Sequence, residues 1–211
     1  MQLDRYPRPS VAVDAALLTL DDSGRELQVL LVHREAGPTW ALPGTFLHQG
    51  ETLADAVRRA LRVKTGVEGV RPRQLHVFDA LDRDDRGWVL SVAHVAVVHR
   101  EELAGRLAET TRLAPVAAID PREMAWDHPE IIGRAVDDLR ARYAKGADPD
   151  GLLDDTFTML ELLNAHSAVA GKRLQRDSFR RAMRDHVESV NESVTRGRGR
   201  PAELFRRKLP H

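Results

Sequence analysis

The chain has 211 residues with balanced formal charge, 42% apolar side chains and no cysteine. These totals suit one large domain or a medium domain with a smaller companion, and they exclude disulfides and thiolate chemistry. No apolar run approaches the ~20 residues that span a bilayer, and the opening MQLDRYPRPS lacks the apolar region of a signal peptide, so a cytoplasmic protein without a membrane partner is expected.

Ser10 to Leu20 and Leu27 to His33 are apolar and rich in strand formers, with the turn signal DDSG (Asp21 to Gly24) close before the second run, so they read as a hairpin. After WALPG comes a helical pattern from Leu53 to Lys64: Leu53, Ala56, Val57, Ala60 and Leu61 recur at i, i+3, i+4, i+7 and i+8. Thr52, with Asp55 three residues on, is its expected N-cap, and Gly66 its expected stop. Gln74 to Leu81 and Trp88 to Val98 read as strands around DRDDRG, and Glu130 to Tyr143 as a closing helix. The first ~145 residues are therefore α/β.

AKGADPDG begins at Ala144, and its Gly, Pro and Asp content places a linker over residues 146–155. A small unit follows over residues 156–211. Thr158 and Glu161 match a capping box that opens a helix through about His166. Ser178 to His186 reads as a second helix, with Phe179, Ala182, Met183 and His186 on one arc and Asp177, Arg180, Arg181 and Arg184 on the other. Its apolar arc is expected to pack on Met159, Leu160, Leu162 and Leu163. Val187 to Val190 and Ala202 to Arg206 read as short strands flanking TRGRGRP.

The charge is unevenly placed. Lys172 to His211 holds 12 Lys and Arg against 5 Asp and Glu, a net of +7, while the preceding residues hold 20 against 27. A basic end attracts phosphate. An arginine face on a helix that follows a helix and a short turn suits a recognition helix in the major groove, and arginine both reads guanine and clamps phosphate. TRGRGRP would then be the tip of a wing, with Leu204 and Phe205 anchoring its return strand. A solvated basic face and an RNA-binding tail are the competing readings.

Trp40 to Val67 resembles the Nudix box, G-x5-E-x7-R-E-U-x-E-E-x-G-U with U aliphatic. Glu51, Arg59, Leu61, Gly66 and Val67 match, Thr45 replaces the leading glycine, and Ala60, Val63 and Lys64 replace the three helix glutamates. In Nudix hydrolases that glutamate cluster binds Mg²⁺ or Mn²⁺. Hard cations want several oxygen ligands, and a lysine repels one. No catalytic residues and no metal site are expected, and an active ADP-ribose pyrophosphatase is the alternative.

A degenerate Nudix domain followed by a winged helix-turn-helix resembles the NrtR family, Nudix-related transcriptional regulators of NAD metabolism. The likeness includes DALDRDDRGWVLSVAHVAVV, MAWDHPEII, SFRRAM and GRGRPAELF. It implies a Nudix-like sandwich of mixed sheet between helices followed by a small winged helix-turn-helix domain. It also implies a homodimer that binds double-stranded operator DNA and represses NAD-synthesis or niacin-salvage genes. ADP-ribose, or a related nucleotide in the old Nudix cleft, would release the DNA; no cofactor is implied. The expected DNA-binding residues are Ser178, Arg180, Arg181, Arg184, Arg196, Arg198 and Arg200, with Ser178 alternatively capping its helix. For the ligand, Trp40 and Phe46 either stack on a base or fill the core. Arg34, Arg59 and Arg83 either meet a pyrophosphate or sit in salt bridges. Asp79 and Asp127 are the expected partners of ribose hydroxyls. Glu51 is a ligand contact or a surface carboxylate at a helix N-terminus, and His128 a ligand contact or a structural histidine.

Overall fold

Strand β1 (Ser10–Leu20) is buried along nearly its whole length because both of its faces are covered. Val13, Ala15 and Leu17 point to one side, into a cluster with Ala56, Val57 and Leu61; Ala16, Leu18 and Leu20 point to the other, into a cluster with Ile131, Ala135 and Leu139. The two-residue period of a strand thus feeds two helical layers from one apolar run. The computed structural model describes residues 5–195 and 201–208.

The remaining strands of this seven-stranded sheet are β2 (Leu27–His33), β3 (Trp40–Ala41), β4 (Gly44–Phe46), β5 (Arg73–Phe78), β6 (Val89–Val97) and β7 (Thr111–Pro115). β1 pairs parallel with β6 and antiparallel with β2 and β4, so the sheet is mixed. Helix α1 (Leu53–Thr65) covers one face and α2 (His128–Tyr143) the other, giving the expected sandwich.

α1 has the caps its sequence announces. The Thr52 side chain accepts from the Asp55 N–H, the Asp55 carboxylate accepts from the Thr52 N–H, and Gly66 closes the helix at φ 77°. A Cβ on Gly66 would stand 2.2 Å from the Arg106 carbonyl oxygen, so packing as well as the backbone angle requires glycine here.

The C-terminal unit comprises β8 (Thr156–Thr158), α3 (Met159–Ala170), α4 (Arg176–Met183), β9 (Val187–Val194) and β10 (Ala202–Arg207), its strands ordered β8-β10-β9. Phe157, Leu162, Phe179, Met183 and Val187 form its core, with Phe205 packed against it. Helix pair and antiparallel ribbon make a winged helix. Among the described residues no helix is long and apolar enough to cross a membrane.

Several expectations need correction. β5 ends at Phe78, not Leu81. α4 spans Arg176–Met183 rather than Ser178 to His186, because Gln175 caps it: the Gln175 side chain accepts the Ser178 N–H at 2.6 Å. Ser178 therefore does not cap the helix. Ala182 and Leu160, expected in the core, are exposed, since an eight-residue helix buries only Phe179 and Met183. β9 runs to Val194 through polar residues that an apolar pattern does not reveal. Within residues 146–155, Ala147, Asp148 and Leu152 are buried. The turn composition is real, but the Asp148 carboxylate satisfies the Leu152 and Leu153 N–H groups, which lets the turn sit inside.

Candidate functional site

A cleft of about 650 Å³ opens over the middle of the seven-stranded sheet, lined by β1 and β4, the end of α1 and the loops carrying Arg34, Arg83 and Trp126. Arg34, Lys64, Arg83 and Arg86 stand there with the rings of Phe46 and Trp126, against the carboxylates of Asp14, Glu35 and Asp84. The Arg34 and Arg86 guanidiniums lie over the Trp126 indole at 4.4 and 4.6 Å from the ring centroid, and Arg86 also lies 5.0 Å from that of Phe46. Trp126 holds φ 48°, an uncommon angle for a bulky residue.

The floor is a buried polar network. The Ser91 hydroxyl donates to Asp14 at 2.6 Å, and His128 Nδ1 accepts the Leu42 N–H at 2.9 Å, which leaves the proton on Nε2, 3.4 Å from an Asp14 oxygen. Arg83 donates twice to Asp127, at 2.8 and 2.7 Å, and stands 3.7 Å from Asp14. Burial pushes the Asp14 carboxyl up, but His128, Ser91 and Arg83 outweigh it and hold the group below its usual range. Gly44 makes room for this carboxylate, since a Cβ there would lie 2.0 Å from its oxygen. Lys64 keeps solvent contact, yet its ammonium is partly desolvated. That desolvation, with Arg86, Arg34 and Arg59 nearby, holds it below the usual lysine range against the pull of Asp14.

The expected ligand residues separate into groups. Arg34, Phe46 and Arg83 line the cleft. Asp127 supports it by holding Arg83. His128 is wholly buried in the floor network. Trp40 is packed against the core beneath Arg112, whose guanidinium lies 3.9 Å from the ring centroid, and Asp79 is exposed past the end of β5. Neither lines the cleft. Glu51 and Arg59 pair with each other at 2.8 Å twice, while Arg59 also donates to Thr45 and to the Phe46 carbonyl. That pair staples the loop before α1, and the Arg59 bonds hold the Glu51 carboxyl down to about 2. Sequence reasoning missed Trp126 and Arg86 as cleft residues, although both lie in segments that carried the family likeness.

The Nudix fold implies a divalent cation, and the residues present do not fit one. Ala60 is buried, while Val63 and Lys64 line the cleft where carboxylates would be needed. The Asp84 carboxylate is taken by Arg86 at 2.8 and 2.7 Å, and Asp14 by its own network. Among the described residues the cluster with metal-ligand spacing is His99, Glu101 and Asp154, away from this cleft.

A second site lies on the C-terminal unit. Ser178, Arg180 and Arg181 are exposed on α4, and Arg184 just past its end. Lys172, Arg173 and Arg176, in and just after the α3–α4 turn, are exposed beside them and were not singled out from sequence. Among the described residues none of these six cations pairs with a carboxylate, as Arg206 and Arg207 of the same unit do. Uncompensated cations on a helix face after a turn are what a duplex backbone attracts. Arg196, Arg198 and Arg200, the expected wing tip, lie outside the described residues.

Residues 10–137 match the NUDIX domain and residues 151–207 the NrtR DNA-binding winged helix domain. The chain is 30% identical, over 97% of its length and 84% of the relative's, to the ADPR responsive transcriptional repressor NtrR of Acinetobacter baylyi. The chain belongs to the NrtR family. Its fold follows that of Shewanella oneidensis NrtR complexed with a 27mer DNA: TM-score 0.78, 32% identity, 94% of this chain and 93% of that one. The NUDIX domain of the same S. oneidensis protein, complexed with ADP ribose, aligns at TM-score 0.56 and 29% identity over 66% of this chain and 94% of that one. The family arrangement thus puts the cationic cleft and the arginine helix in one regulator chain.

Proposed function

We propose that this protein is a transcriptional repressor that binds operator DNA through α4 and its wing, and is released when ADP-ribose occupies the cleft. The observation that carries the reading is a cleft that offers four cations and two aromatic rings and, among the described residues, no cluster of groups with metal-ligand spacing. Arg34, Lys64, Arg83 and Arg86 suit a pyrophosphate, and Trp126 with Phe46 suits a base or ribose face. Without a metal to activate water or neutralise developing phosphate charge, binding is not followed by hydrolysis. The names of the A. baylyi repressor and of the S. oneidensis complexes support ADP-ribose and DNA as the two ligands.

The protein acts as a homodimer, so that two α4 helices meet half-sites about 34–36 Å apart on one face of the duplex. Its targets are genes of NAD synthesis or niacin salvage, whose product pool ADP-ribose reports. The test is anisotropy of labelled duplexes drawn from upstream of such genes, with and without ADP-ribose, beside an assay for AMP release with Mg²⁺ or Mn²⁺. Specific binding that ADP-ribose weakens, with no AMP formed, is the expected result. Binding indifferent to ADP-ribose rejects the sensor, and metal-dependent AMP release makes the chain a pyrophosphatase.

A further inference from the structure

Helix α2 belongs to two cores at once. Ile131, Ile132, Ala135 and Val136 pack on the seven-stranded sheet, and the same buried cluster takes in Leu139 and Tyr143 together with Ala165 and Val169 of α3. The Tyr143 ring stands 4.8 Å from that of His166, which in turn stands 4.9 Å from Phe179 of α4. A single rigid element of 16 residues, about 24 Å long at 1.5 Å per residue, is thus shared by the Nudix fold and the winged helix.

Each end of α2 is tied by specific polar bonds. At its start, Asp127 holds Arg83 and His128 accepts the Leu42 N–H, and both Arg83 and Leu42 line the cleft. At its end, the Tyr143 hydroxyl donates to Asp148. That carboxylate is wholly buried at φ 50° and also accepts the Leu152 N–H at 2.8 Å, the Leu153 N–H at 3.0 Å and the Arg207 guanidinium. Arg207 is the last residue of β10, the return strand of the wing, and donates further to the Asp148 and Leu153 carbonyls.

We infer that α2 is the strut that carries cleft occupancy to the DNA-binding unit, and that the Tyr143–Asp148–Arg207 cluster is the joint through which it acts. This rests on the proposed function. A pyrophosphate in the cleft competes with Asp127 for Arg83, so the ligand interacts differently with two placements of the first turn of α2, as a population shift requires. The far end cannot absorb that displacement locally. Asp148 is bonded on several sides, and packed interiors switch between discrete arrangements rather than deform. The shift is therefore passed to β10 and, through Ala165 and Val169, to α3.

The experiment uses the full chain and an operator that wild type binds. ADP-ribose should weaken wild-type operator binding by a factor within the ~5–150 usual for coupled sites. In Tyr143→Phe and Arg207→Met that factor should fall toward one, while ADP-ribose affinity and ligand-free DNA affinity stay within about threefold of wild type, a change of under 1 kcal/mol. Variants that keep the wild-type factor overturn the inference and leave the proposed function standing. A wild-type chain that binds both ligands without coupling sinks the proposed function, and the strut with it. Hydrogen exchange on wild type keeps the question open to test if a variant misfolds. ADP-ribose should alter protection at 126–132 and also at 148–153 and 202–207, and a change confined to the cleft end overturns the strut.

Discussion

The Arg86 guanidinium lies over the Trp126 indole at 4.6 Å while it grips Asp84 at 2.8 and 2.7 Å, so the cation that faces the cleft is itself held in place. A ring held among fixed cations is a platform for an electron-rich, anionic ligand. Trp126→Ala should weaken ADP-ribose binding by about 5–150-fold, the equivalent of ~1–3 kcal/mol for one lost stacking partner. Ligand-free DNA affinity should not change. Calorimetric titration of ADP-ribose checks the first, operator anisotropy the second, and unchanged ADP-ribose affinity would remove Trp126 from the site.

The six uncompensated cations from Lys172 to Arg184 make a prediction that separates the two ligands. Arg181→Ala should weaken operator binding and leave ADP-ribose affinity as it was. If Arg181 neutralises a phosphate, the slope of log affinity against log salt falls by about 0.9. Arg173→Ala should lower the slope similarly without altering sequence preference, since a residue in the turn positions the helix and reads no base. A variant that loses both ligands together reports misfolding rather than a contact.

Much of this was legible because the local pattern and the tertiary environment agree. β1 and α1 declare themselves through periodicity, and Thr52, Asp55 and Gly66 take the cap roles their spacing suggests. β8 was invisible: three residues, Thr-Phe-Thr, become a strand only because Phe157 pairs with Phe205. The cleft was half legible. Arg34 and Arg83 were singled out, but Arg86 and Trp126 come from separate loops that meet only in the fold. For Glu51 and Arg59 the sequence leaves open a ligand contact or a structural role, and in the fold the two charges pair with each other. Turn composition marks the segment around Asp148 but does not say that the turn is buried.

His166 gives the protein an acid-sensitive core. The ring is buried between Tyr143 and Phe179, its Nε2 has no hydrogen-bond partner, and burial lowers its pKa from 6.5 to about 4, against a smaller opposing pull from Asp148. The unfolded chain binds this proton more readily than the folded one, so stability is full above pH 6.5 and falls as pH drops toward 4. The loss is about 3 kcal/mol at 1.36 kcal/mol per pKa unit. Glu51, held near 2, contributes in the same direction but only below its ordinary 4.5, so the windows are distinguishable. His166→Phe should flatten urea-denaturation stability between pH 6.5 and 4.5, and a slope that survives the substitution would assign the sensitivity elsewhere.

Lys64 stands where a Nudix hydrolase places a metal-binding glutamate, and it replaces an ion with a side-chain charge. If it meets the pyrophosphate, Lys64→Met removes an attraction and Lys64→Glu turns it into repulsion. In EDTA the two should weaken ADP-ribose binding in that order, the second by about 100-fold or more, as two units of charge about 5 Å from a phosphate are worth ~3 kcal/mol at an effective dielectric near 40. The lysine must be protonated to bind the anion, and its pKa lies below the usual 10.5. Wild-type affinity should therefore decline as pH rises before an ordinary lysine would titrate, and Lys64→Met should lose that decline. Titrating ADP-ribose across pH reads both effects. An alkaline decline that survives Lys64→Met would move the pyrophosphate away from α1 and onto Arg34, Arg83 and Arg86.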